Sequence, residues 1–318
     1  MSKAVEIINA LVSPANKLID AVTRAIGKAY QPHHIRKMAE AKVYEINMVG
    51  QALRDNADVP IVYNKGELSL NTTDFDEFVK RTQSRLAYQE LQKQQNIENV
   101  ANKAYELLEN ETECSSELVS QDWMTRFFNS VGDISDEDMQ TLWAKILAGE
   151  IKQPKSYSLR TLETLKNLSK EEAELFQKIS PLILIGENHL FMMSNPKIYE
   201  KHHISYEDIM SMGECGLLVY NNTLSLALTL EHGEVGVFYT KTQTMHITGK
   251  SNDKVEISFG IHSLTNAGKE IFYMLNCRPN DSYMFDFAEN IFNDNKNKVN
   301  ISIQENNLNN QILKEWKQ

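Results

Sequence analysis

Apolar positions follow a helical period up to about residue 180 and an extended one beyond it. Behind Ser13-Pro14, a cap and first-turn pair, Leu18, Ile19, Val22 and Ile26 recur at helical spacing. Pro32 pushes Gln31 out of the helical region, and a second helix runs on through "IRKMAEAKVYEINMVGQALRD". Its apolar stripe is thin, suited to packing on another helix. After a connection with some extended character, a long polar helix is predicted from about Thr73, its register broken near "QKQQN". Its stripe fits a coiled-coil-like contact between copies as well as packing on the chain's own body.

Residues 119–180 read as a compact bundle of four short helices with short loops. Ser120 or Gln121 caps the first, whose face is Trp123, Phe127, Phe128 and Val131. In "SDEDMQTLWAKILAGE" Ser135 is read as the cap, Asp136, Glu137 and Asp138 as acids at the positive helix end, and Gly149 as a left-handed stop. Met139, Leu142, Trp143, Ile146 and Leu147 form one face. Ser169 and Glu172 have capping-box spacing.

After Pro181 the texture changes. "LILIG", "HLFMMS", "LLVYNNTLSLALTL", "EVGVFYTKTQTMHITG" and "KVEISFGIHSL" read as strands. "SYEDIMSMGECGLL" reads as a capped helix ending near Gly213 or Gly216, and "TNAGKEIFYML" as a helix capped by Thr265. The predicted divisions are a helical segment 1–56, a linker and long helix 57–118, the compact helical domain 119–180, an α+β domain 181–290 and an Asn-rich tail 291–318.

Composition narrows the setting. At 318 residues the chain holds two modest domains, or one with a helical extension. No run of eighteen apolar residues occurs, and Glu6, Asn9 and Asn16 interrupt what a signal peptide would keep apolar. Cys114, Cys215 and Cys277 are odd in number and lack metal-ligand spacing, which places the chain in a reducing cytoplasm. The net charge of −10 argues against broad nucleic-acid binding. Residues 1–42 are the exception, with seven Lys/Arg against three Asp/Glu.

Candidate chemistry is sparse. No Gly-x-Ser-x-Gly, His-Glu-x-x-His or Walker sequence occurs, so no catalytic residue, cofactor site or metal site is assigned and no enzyme is expected. The pairs His33-His34 and His202-His203 point about 100° apart on a helix and suit surface or capping roles better than one ion. Asp136 and Glu137 are the acids a partner could meet. Arg160, following Ser156 and Ser158 and preceding Thr161, has the fork to clamp a carboxylate or phosphate, or to bridge helices of the bundle. Lys17, Arg24 and Lys28 beside the first apolar stripe, with Arg36 on the second helix, form a basic surface for a partner or an anionic membrane.

The segment Trp123–Phe176 resembles a family of uncharacterised bacterial proteins known only as a domain of unknown function. The likeness lies in "DWMTRFF", "SDEDMQTLWAKILAGE" and "PKSYSLRTLETLKNLSKEEAELF", in that order and spacing. Lys155 departs from it, standing where the family often has glycine. Residues 181–276 are similar, more weakly, to the end of a winged-helix unit, in "GECGLL", the strands and "LTNAGKEIFYML". The fold expected is therefore α+β: an N-terminal helical extension, a central helical bundle and a small winged-helix-like α/β unit with antiparallel strands. The family resemblance implies a sensor or effector in phage defence. With the absence of catalytic motifs, it leads to a non-enzymatic interaction protein, acting through self-association and protein binding. Two alternatives stay open, a nucleic-acid-binding regulator using the winged unit and a membrane-surface effector using the first helix. The supposed reading helix holds Glu207, Asp208 and Glu214 and no Lys or Arg, which weighs against DNA.

Overall fold

The computed structural model describes residues 13–26, 63–64, 67–68, 72–219, 224–231, 233–250, 254–306 and 311–317. The chain divides into two compact units, Met1–Ser156 and Tyr157–Gln318. The division falls inside the stretch 119–180, so the four helices expected there as one bundle belong to different units.

The first unit is helical. Its described helices are α1 (Pro14–Ile26), α2 (Thr72–Leu108), α3 (Gln121–Val131) and α4 (Glu137–Lys152), with a two-residue pair of strands, β1 (Tyr63–Asn64) and β2 (Glu67–Leu68). α2 is continuous through "QKQQN", where i,i+4 side-chain bonds from Gln94 to Glu98 and from Gln95 to Asn99 support it. The core is where the four apolar stripes meet: Leu18 and Val22, Val100 and Leu108, Phe127 and Val131, Trp143 and Leu147 are all fully buried. Trp123 stacks on Phe127 with ring centroids 5.1 Å apart, and Phe127 meets Trp143 edge-on at 5.4 Å.

Two details of α4 differ from the sequence reading. The cap is Asp136, one residue beyond Ser135, because its carboxylate accepts from both Asp138 N and Met139 N at 3.0 Å. Gly149 does not stop the helix; the fully buried Ile151 continues the stripe of Leu147 one turn further, and that burial outweighs the cost of an interior glycine, about 1 kcal/mol. The left-handed residue is Lys155, at φ 71°, whose N–H donates to the buried Glu150 carboxylate at 2.7 Å. A side chain other than glycine is thus held in a backbone region that favours glycine.

The second unit is α+β. Its helices are α5 (Leu159–Lys166), α6 (Lys170–Ile179), α7 (Pro196–Lys201), α8 (Tyr206–Glu214), α9 (Asn266–Leu275) and α10 (Asp281–Asp294). Its strands are β3 (Leu184–Ile185), β4 (Leu190–Met193), β5 (Ser225–Leu230), β6 (Val235–Tyr239), β7 (Gln243–Gly249), β8 (Val255–Ser263), β9 (Val299–Glu305) and β10 (Ile312–Trp316). They form one antiparallel sheet in the order β10-β9-β7-β6-β3-β4-β8-β5. The strands therefore extend well past the short wing of a small unit. The stretch read as one strand, "EVGVFYTKTQTMHITG", is the hairpin β6–β7, turned by Thr240, whose N–H donates to Gln243 O at 2.8 Å. The Asn-rich tail supplies β9, inside the sheet, and β10 at its edge.

One face of the sheet packs on α10. Phe287 of that helix sits among Phe191, Phe238 and Phe259, with centroids 5.3–6.2 Å away. Tyr283, buried beneath, accepts Met193 N–H at 2.7 Å through its hydroxyl, and burial holds its pKa above the ordinary tyrosine range.

Trp143 Nε1 has no hydrogen-bond partner among the described residues, so only its volume and ring contacts are at stake. Trp143→Ala is expected to cost about 3–5 kcal/mol, and Trp143→Phe much less. Urea unfolding followed by circular dichroism checks both; equal losses for the two variants would contradict this packing account.

Candidate functional site

The second unit contains a cleft of about 430 Å³ bounded by α5, α6 and the end of α8. Arg160, Glu163, Thr164 and Asn167 recur at i, i+3, i+4 and i+7, so one polar stripe of α5 forms a wall. Glu214 and Cys215, at the end of α8, form another, and the buried Leu168 and half-buried Glu172 also line the cleft. Asn167 donates from Nδ2 to Glu163 O at 2.8 Å, which closes the last turn of α5.

Both walls are held by the start of α9. Thr265 caps that helix, accepting Gly268 N–H at 3.0 Å, while its hydroxyl donates to Gly216 O at 2.6 Å. Gly268 lies so close to the chain after α8 that a Cβ there would stand 2.1 Å from Leu217 O. Half a turn on, Glu270 accepts from Ser158 N at 2.7 Å and from the Thr161 hydroxyl at 2.5 Å. Ser158 is itself the cap of α5, its Oγ accepting Thr161 N–H at 3.3 Å.

Inside the cleft Glu172 has a double duty. Its carboxylate accepts Ser169 N–H at 2.7 Å, completing the capping box of α6, and accepts the Cys215 thiol proton. These bonds, the thiol's first, hold Glu172 below the usual carboxylate range. Burial, and then the bond to Glu172, push the Cys215 thiol up to about 12. A thiol in that state is a poor nucleophile.

The histidine pair is also accounted for. His202, the C-cap of α7, lies 2.8 Å from Asp286 Oδ2 through Nε2 and 3.2 Å from Asn280 Nδ2 through Nδ1. Both ring nitrogens are thereby engaged, and Lys201 Nζ shares Asp286 at 2.6 Å. His203, at φ 63°, offers its carbonyl to Lys178 Nζ at 2.6 Å. His33 and His34 lie outside the described residues.

The structure scatters the other candidates. Asp136 caps α4, and Glu137 pairs with Lys103 at 3.5 Å. Lys17 is 5% exposed, not a surface residue. Its Nζ donates to Ser115 O at 2.9 Å, and burial lowers its pKa against the pull of Cys114, Glu117 and Glu150. The turns around it bury Leu18, Ala21 and Val22 against the first unit's own helices, which leaves this face unavailable to a membrane. Arg24 is exposed and bonds Asp20 O at 3.3 Å. Lys28 and Arg36 lie outside the described residues. Among the described candidates, Arg160 alone reaches the cleft; Glu163, Glu214 and Cys215 were missed, although the α5 stripe that carries Glu163 is written in the sequence at helical spacing. Among the described residues no group of three or more His, Cys, Asp or Glu is placed to hold a metal ion, and no helix is long and apolar enough to cross a membrane.

A family model described as a protein of unknown function, DUF2806, matches residues 80–288, which include every residue of the cleft. No curated protein and no solved structure matches.

The thiol state is directly measurable. At pH 8 a thiol with a pKa near 12 exposes about a thousandfold less thiolate than an ordinary cysteine, so iodoacetamide should label Cys215 correspondingly slowly. Glu172→Gln should speed labelling, because the carboxylate raises the pKa. Peptide mass spectrometry over time reads both; fast labelling of the wild-type chain would contradict this geometry.

Proposed function

The chain belongs to the DUF2806 family, and from that premise we propose that it is a non-enzymatic interaction protein. It works through self-association, as a sensor or effector component of defence against phage. The observation that supports self-association is the stretch of α2 from Arg85 to Leu91, where every side chain is exposed. Leu86, Tyr88 and Leu91 are among them, at 49%, 40% and 38% exposure. A helix that leaves large apolar side chains in water gains by burying them on a partner, at about 25 cal/mol per Å².

The helix is formed before any partner arrives. Arg85 Nη1 bonds Gln89 Oε1 at 3.3 Å, and Lys93 pairs with Glu90 at 3.5 Å. Preformed structure lowers the entropy cost of association. A second copy suits this stretch, because the association would take Leu86, Tyr88 and Leu91 of both chains out of water. The non-enzymatic part draws support from Cys215 and His202, whose reactive atoms are committed to Glu172, Asp286 and Asn280.

Light scattering on the full chain tests the association. The wild type is expected to run at a multiple of one chain mass and Leu86→Glu/Leu91→Glu at one; a wild type at one chain mass overturns the reading. Plaque counts on cells expressing each protein test the setting. Fewer plaques are expected with the wild type than with the double variant, and equal counts remove the role in phage defence.

A further inference from the structure

We infer that the cleft of the second unit binds a small zwitterion carrying a second cation, the charge pattern of a free basic amino acid. The inference is independent of self-association through α2. Among the described residues, the side chains of Arg160, Glu163 and Glu214 hold no hydrogen bond or ion pair, although all three line one cleft. Glu172, the other carboxylate there, is committed to Ser169 N and the Cys215 thiol. The cleft therefore offers one guanidinium and two carboxylates. Their complement is one carboxylate and two cations.

Each part of such a ligand has a place. The planar fork of Arg160 suits a carboxylate, which it can hold through two parallel N–H bonds. Glu163 on α5 and Glu214 at the end of α8 take the α-ammonium and the side-chain cation from different walls. Leu168, which also lines the cleft, gives the aliphatic stem an apolar surface, as long basic side chains require. The volume of about 430 Å³ lies in the range of small-molecule sites, roughly 300–1,000 Å³.

The competing chemistries fit worse. A phosphate would meet one cation and two unpaired carboxylates, a net repulsion. A plain diamine would leave Arg160 facing a cation. A divalent metal lacks a set of ligands there among the described residues.

The test is isothermal titration of the full chain with L-lysine and L-arginine, beside norleucine, which lacks the second cation, and agmatine, which lacks the carboxylate. Saturable binding of at least one basic amino acid is expected, with norleucine and agmatine weaker. Arg160→Ala and Glu214→Gln, both at exposed positions, should each weaken it about tenfold, the loss of one charge-assisted contact. Matching circular-dichroism melts show that the variants fold. No saturable heat at millimolar ligand overturns the proposal. So does unchanged affinity in either variant, or agmatine binding as well as arginine.

Discussion

The first turn of α9 is the point on which the second unit's cleft depends. Gly268 is seated against the backbone at Leu217, in a space that admits no side chain. The Thr265 hydroxyl reaches the same segment at Gly216 O. That fixes where the chain leaves α8, and with it Glu214 and Cys215. Glu270, two residues further on, grips the capped start of α5 through Ser158 and Thr161, and so fixes the stripe that begins with Arg160. The start of α9, from Thr265 to Glu270, holds two walls that are about fifty residues apart in sequence. A carboxylate accepting a backbone N–H and a hydroxyl is among the stronger neutral-to-charged arrangements, which suits it to that task.

Much of this architecture is legible in local chemistry. Capping residues announce themselves because a short polar side chain beside a helical stripe has few other uses: Ser120, Ser169, Ser205 and Thr265 all cap as their positions suggest. The helix-to-sheet change after residue 180 is likewise written in the spacing of apolar side chains. Errors arise where tertiary packing decides. Gly149 looks like a stop, but Ile151 beyond it has a buried place to go. Lys17 looks like a surface cation, but its stem and ammonium are enclosed and answered by Ser115 O. The helix α10 passes unread in an Asn- and Asp-rich context. Yet Tyr283, Met284, Phe287, Ala288, Ile291 and Phe292 sit at helical spacing behind Asn280, a cap for Ser282 N and Tyr283 N.

The candidate site was harder to foresee than the fold. Arg160 is visible as an unusual polar residue, but a cleft is a relation between distant segments. Nothing local to "GEC" says that Glu214 and Cys215 will stand opposite α5. The same holds for Cys215 and Glu172, whose mutual effect on protonation exists only once α6 and α8 are packed together.

The central structural claim is that α9 positions the α5 wall of the cleft through Glu270. Hydrogen exchange of the full chain, wild type against Glu270→Ala, tests it most directly. Faster exchange is predicted across α5, Leu159–Lys166, while the Leu217 and Leu218 amides, which donate to Met212 O, keep their native rates. Unchanged exchange in α5, or a loss of protection spread evenly over the second unit, would contradict the account.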